Sequence, residues 1–136
     1  MANYTVTPGS VVPSSGAVQS KAISGATITA GQPIYIDSSD SNKAKLADAN
    51  ASAVTRGIAV CSASAGQPIF YVSEDADFTH GITSPTVGDI VIVSATAGAL
   101  CPSSDMATGM YPSVVMTITS STKAVLRILN GTAAKP

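Results

Sequence analysis

The sequence is poor in charge. Lys, Arg, Asp and Glu make up 11% of its 136 residues and leave a formal net charge of −1, where ordinary globular domains carry roughly 25% charged residues. Clustered Lys and Arg are what replace counterions on nucleic acid or hold a chain to an anionic membrane. Neither partner is expected here. Aromatic residues are scarce at 4% and Trp is absent, so the core has to be built from Val, Ile, Leu and Ala. One His and two Cys cannot by themselves complete a four-ligand zinc site. Cys61 and Cys101 read as free thiols that pack in apolar strands, with a disulfide or a metal pair as the alternatives. No run approaches the 18 apolar residues of a membrane span. The opening MANYTVTPGS lacks a basic stretch followed by an apolar one, so no secretory signal is expected and synthesis is placed in the cytoplasm.

What is present is a strand-and-turn pattern in a chain whose length fits one domain. Residues 1–21 are polar, are interrupted by Pro8, Gly9, Pro13 and Gly16, and predict an extended arm. That arm either stays disordered or orders against a neighbouring subunit by strand addition. Residues 22–130 predict a single β domain and 131–136 a loose tail. Strands are expected in 26–36, 43–47, 57–63, 66–72, 87–94 and in a closing hairpin at 113–128 turned by residues 120–123. VGDIVIVS at 87–94 is apolar at successive positions and predicts burial on both faces. Residues 47–53 are the one candidate helical turn, and SEDADFTHG at 73–81 reads as a polar loop. In the hairpin, Val114, Met116 and Ile118 are expected on one face with Ala124, Leu126 and Ile128. About eight short antiparallel strands predict an all-β fold, as a jelly-roll-like sandwich or a small barrel.

One segment repeats. AGQPIYI at 30–36 recurs as AGQPIFYV at 65–72, and VGDIVIV at 87–93 is a looser copy. A tight turn at Gly that releases the chain into a strand accounts for this. Pro33 and Pro68 then belong at strand starts, where a missing N–H does least harm. AGQPIYID (30–37), KAKLADANASAVTRGIAV (43–60), AGQPIFYV (65–72) and VGDIVIVSATAGAL (87–100) together resemble the modules of bacteriophage capsid decoration, or cement, proteins. They are similar, more loosely, to some phage fibre modules, and SVVMTITSSTKAVLRI resembles the closing hairpin. The resemblance covers about three-quarters of the chain. It implies a structural virion protein on the outer capsid surface, bound to the major capsid protein and to itself as a homodimer or homotrimer. It implies no catalytic residue and no cofactor. The alternative is a receptor- or carbohydrate-binding module of a tail or fibre.

The chemistry-bearing residues are few. His80 lies in DFTHGIT without a recognisable nucleophile and reads as an exposed loop histidine with an ordinary pKa near 6.5. Glu74, Asp75 and Asp77 lack the Gly and Glu that complete a calcium loop, and read as a solvated loop. Asp37 and Asp40 read as turn caps. Arg56 and Arg127 are the only arginines. Arg127 is assigned to a surface salt bridge, and Arg56, with Tyr4, Val6, Val11 and Val12 of the arm, forms the candidate interface set. Asn130-Gly131-Thr132 matches a glycosylation triplet by chance.

Overall fold

The repeated Ala-Gly-Gln-Pro segments fold as the same turn in a computed structural model, which describes residues 3–50 and 54–136. The Gln32 N–H donates to Thr29 O at 3.2 Å, and the Gln67 N–H to Ser64 O at 3.0 Å. Each Gln side chain then closes its own turn, with Oε1 accepting from the Thr29 N–H or the Ser64 N–H at 2.8 Å. Gly31 and Gly66 occupy the position that needs a left-handed backbone, at φ +95° and +89°. Pro33 and Pro68 follow as the first residues of their strands.

Nine strands lie among the described residues: β1 Val18–Ile23, β2 Pro33–Asp37, β3 Lys43–Leu46, β4 Thr55–Ala59, β5 Pro68–Thr79, β6 Ile90–Val93, β7 Leu100–Pro102, β8 Ser113–Ile118 and β9 Lys123–Asn130. The only helical elements described are three single 3-10 turns. The all-β expectation holds. The strands form one curled antiparallel sheet, a half-barrel, in the order β3-β2-β4-β5-β9-β8-β6-β7, with β1 also on β5. The curl brings the end of β1 back to β3, where Ser24 bridges Ala44 in parallel and the Gly25 N–H donates to Ala44 O at 2.8 Å.

β5 has neighbours along both edges. Tyr71 and Val72 pair with Ser20 and Gln19 of β1 on one side and with Ala59 and Ile58 of β4 on the other. Glu74 pairs with Val18 and with Arg127 of β9. β4 and β9 therefore lie end to end along one edge of β5. β1 runs along the opposite edge, and Val12 continues on that side opposite Thr79.

Both faces of the central strands are buried. Ile69 and Tyr71 join Ile28, Ile34, Ala44 and Ala59 in one apolar cluster. Val72 and Phe78 join Ile58, Val91, Val115, Met116, Ile118 and Leu126 in a larger one. The apolar run at 87–94 is buried on both faces only from Val91 on, with Val91 and Val93 in the larger cluster and Ile92 on the other face beside Cys101 and Met110, whereas Val87 and Ile90 are exposed. Both cysteines are free thiols, Cys101 buried and Cys61 partly so.

Several local expectations are corrected. Residues 73–79 are the second half of β5 and not a loop. Asp75 and Phe78 point inward there, and a bulge between them hides the alternation. In β8 a register shift between Val114 and Met116 buries Val115 and Met116 together, so Val114 leaves the inner face and pairs with Leu129. Residues 18–21, counted with the arm, are the first four of β1. Leu100–Pro102 is a strand that no expectation covered. Of the candidate helical turn at 47–53, residues 51–53 fall outside the described residues, and 47–50 form no helix. The tail residues 131–136 run beside 109–112, with the Lys135 N–H donating to Met110 O and the Gly109 N–H to Lys135 O, each at 2.8 Å.

Phe78 is the largest fully buried side chain. Phe78→Ala is expected to lower the unfolding free energy by about 3–5 kcal/mol. Thr117→Ala, on the exposed face of β8, is expected to change it by about 0.5 kcal/mol or less. Urea denaturation of the two variants checks both.

Candidate functional site: the N-terminal segment and its cradle

The segment before β1 is held along its length. The Val12 N–H donates to Thr79 O and the Thr79 N–H to Val12 O, both at 3.1 Å. Further along, the Thr7 N–H reaches Gly81 O, the Thr83 N–H reaches Thr5 O and the Tyr4 N–H reaches Leu100 O, each at 2.8 Å. Tyr4 Oη donates to Asp89 Oδ2 at 2.7 Å. Its partial burial and the Asp89 carboxylate push the phenol above its usual range. At the start, Ser94 Oγ donates to Asn3 Oδ1 at 2.6 Å.

Two glycines make room for the segment. A Cβ on Gly31 would stand 2.5 Å from Val6 Cγ1, and one on Gly81 would stand 2.8 Å from Thr7 O and 2.9 Å from Val11 Cγ2. Both residues also have positive φ, so neither site accepts a side chain without displacing the segment. The cradle is thus built from the first Ala-Gly-Gln turn, from the chain just after β5, and from β7.

Asp75 fastens the segment where it meets β1. Its side chain is 1% exposed. Oδ2 accepts from the Ser14 N–H at 2.7 Å, and Oδ1 accepts from Ser14 Oγ and, at 3.0 Å, from the Asp77 N–H. Burial raises its pKa, but the bonds from the Ser14 hydroxyl, the Ser14 N–H and the Asp77 N–H outweigh that and hold the carboxyl below its usual range. A buried carboxylate is tolerated here because donors meet both its oxygens.

His80 departs from its sequence expectation. It is 2% exposed, not an open loop residue. Its N–H donates to Thr122 O at 3.1 Å. Nδ1 accepts from the Ile82 N–H at 2.9 Å, which assigns the ring proton to Nε2 facing Ser120 O at 3.3 Å. The imidazole ties the 80–82 backbone, which carries the cradle, to the β8–β9 turn. Burial lowers its pKa, and the bond to Ser120 O offsets only part of that. The groove of about 200 Å³ beside it is lined by Thr7, Ser10, Thr79, Gly81, Ile82, Thr83, Ser121 and Thr122, with no carboxylate among them. The ring therefore serves as a structural bond to backbone, with no partner in the groove to orient it for proton transfer.

The expected interface residues divide. Tyr4 and Val6 are half-buried and Val11 is 6% exposed, all packed into the chain's own core. Val12 is exposed, as is Arg56 on β4. Arg56 makes no ion pair with a described residue. Arg127 is likewise unpaired, against its assignment to a salt bridge. The acidic cluster is dispersed along β5: Asp75 binds Ser14, Asp77 faces Lys123 Nζ at 3.6 Å, and Glu74 points outward. No metal-binding group of acidic, His and Cys residues occurs among the described residues. Asp37 caps the turn after β2 by accepting from the Ser39 N–H, and it binds Lys45 at 2.8 Å. Asn130 stitches β9 to β4 through Thr55, accepting its N–H at 3.2 Å and donating to its O at 3.1 Å. Of the six aromatic residues only Phe70 is exposed.

Asp75 was beyond sequence reasoning, because its partner is 61 residues away and no local motif announces it. The outer face of β9 was within reach. In KAVLRILN, Val125 and Leu129 occupy the positions between the inward residues. No family model matches the chain, and no curated protein matches it significantly.

His80 gives the fold a pH dependence of known sign. Its folded pKa is depressed, so the unfolded chain binds a proton more readily. The stability it contributes is complete above the unfolded value of about 6.5 and is lost as pH falls from there through the folded value. Urea unfolding from about pH 7.5 to about pH 5 is expected to show stability falling with pH, and His80→Asn is expected to flatten that part of the curve.

Proposed function

We propose that the protein is a structural virion component, a decoration or cement protein that binds the outside of a bacteriophage head and stabilises the mature shell by bridging capsid subunits. The observation that carries this reading is apolar side chain left on the sheet surface. Val18, Ile23, Phe70, Ile90, Val125 and Leu129 are all exposed on a chain with almost no net charge. Surfaces of this kind mark association with other proteins. The resemblance of the Ala-Gly-Gln-Pro, Gly-Ile-Ala and Val-Gly-Asp segments to decoration modules supports the same reading.

The mechanism is mechanical. A rigid half-barrel laid across a seam between capsid subunits adds contact on both sides of the seam. A standard interface buries about 800 Å² per partner. Modest contacts repeated over a shell gain strength by multivalency. On this reading the protein is made in the host cytoplasm and retained on the outer capsid surface. It partners the major capsid protein and further copies of itself, and it needs no catalytic group, cofactor, nucleic acid or membrane.

The test is binding of purified protein to heads of the same phage that lack it. Saturable binding and a higher temperature of DNA release are expected. Phe70→Asp, an exposed change on β5, is expected to weaken binding at least severalfold if its face meets the shell, and to leave the unfolding midpoint nearly unchanged. Heads that neither bind the protein nor gain stability contradict the reading.

A further inference from the structure

The N-terminal segment hangs on one short stretch of chain, and the only histidine sits in the middle of that stretch. Residues 79–83 make four backbone bonds to the segment: Thr79 N–H to Val12 O, Val12 N–H to Thr79 O, Thr7 N–H to Gly81 O and Thr83 N–H to Thr5 O. Ile82 lies between the last two and bridges Val6. The Ile82 N–H itself donates to Nδ1 of His80 at 2.9 Å, so the ring fixes the backbone that carries the segment. The segment in turn covers the ring, since Thr7 and Ser10 line the groove beside His80.

This arrangement exists for one protonation state only. Nδ1 accepts a bond and Nε2 faces Ser120 O at 3.3 Å, which is the neutral ring. A proton on Nδ1 leaves two N–H groups facing each other in a buried site, and the Ile82 N–H loses its acceptor. The surroundings hold no charge that would favour the cation. Residues 3–17 contain no charged side chain, and their one ionisable group in the described structure, the Tyr4 phenol, is bound to Asp89. Residues 119–122 of the β8–β9 turn contain no ionisable group. On β9, Lys123 is the register partner of Thr79 and is paired with Asp77 of β5. Asp75 of β5 is taken by Ser14 and the Asp77 N–H.

We propose that His80 is a pH-sensitive latch on the N-terminal segment: protonation of its ring releases residues 3–12 from residues 79–83 while the β domain stays folded. The nine strands are paired with one another without the segment, so its departure leaves the sheet intact. The release stops at Ser14, because the Asp75 carboxyl is held below its usual range and keeps its bonds to Ser14 well below the pH at which a histidine titrates. The free segment carries Tyr4, Val6 and Val11 out of the core and uncovers the groove over Gly31 and Gly81. This goes beyond a loss of overall stability in acid, since it names the part that moves, and it does not depend on the proposed place of the protein on a phage head.

The experiment is amide hydrogen exchange of the full chain, resolved by residue and corrected for the intrinsic effect of pH, from about pH 7.5 to about pH 5. The Thr7, Val12 and Thr83 amides are expected to be less protected than Val72 and Leu126 of the central strands, which marks a local opening. Their opening constants are expected to rise about tenfold as pH falls, with a ceiling of about thirtyfold at pH 5 set by a pKa of about 6.5 in the open state. The Ser14 amide is expected to show no such rise. His80→Asn, whose side-chain oxygen can still accept from the N–H two residues on, is expected to abolish the pH dependence. Segment amides as protected as the strand amides overturn the inference, because the segment then opens only with the whole domain. Opening that is indifferent to pH overturns it too, as does an acid rise that persists in His80→Asn. Should that variant fail to fold, the wild-type series decides alone: a rise that begins near pH 6.5 belongs to the one histidine, whereas a rise that begins only below about pH 4.5 belongs to carboxylates and overturns the latch.

Discussion

The two-sided pairing of β5 is the constraint on which the rest of the structure depends. Its twelve residues take β4 and then β9 along one edge, and β1 and then Val12 along the other. Those partners come from the beginning, the middle and the end of the chain. The curl of the sheet follows, because β4 leads to β2 and β3 while β9 leads to β8, β6 and β7. Burial on both faces follows too. Tyr71 and Val72 are neighbours in sequence, point to opposite sides and enter different apolar clusters. A strand so enclosed leaves no place for an unmatched polar group, and Asp75 meets that condition by taking three donors.

Pairing on the second edge makes the N-terminal segment part of the domain. Its backbone fills positions beside Thr79 and Gly81, and Val11 fills the space over two glycines that have no side chain. Edge strands left bare invite uncontrolled association. Here one edge is closed from within the chain. The large apolar side chains that stay exposed on the sheet, Val18, Ile23, Phe70, Ile90, Val125 and Leu129, lie on its strands.

Legibility in the sequence followed the range of the interaction. The repeated turns were readable because in each, Gly31-Gln32-Pro33 and Gly66-Gln67-Pro68, the residues act within four positions of one another. The inner face of β9 was readable because Ala124, Leu126 and Ile128 alternate without interruption. β8 was misread because a register shift beside Val115 exchanges the faces, and the bulge in β5 hid seven strand residues behind a polar composition. The burial of His80 and Asp75 depends on the β8–β9 turn and on Ser14, each remote in sequence. Of the interface set, Tyr4, Val6 and Val11 were apolar or aromatic for a reason internal to the fold. The alternation of β9 already sets Val125 and Leu129 apart from the inner face, but their neighbours Ile90, Thr117 and Val114 became visible only with the strand register.

The claim that this chain clads a phage head is tested most directly by its copy number in purified virions, measured by quantitative mass spectrometry against the major capsid protein. The account predicts hundreds of copies per particle in a simple ratio to the capsid subunit. A count of a few copies to a few tens, or absence from the particle, would contradict it.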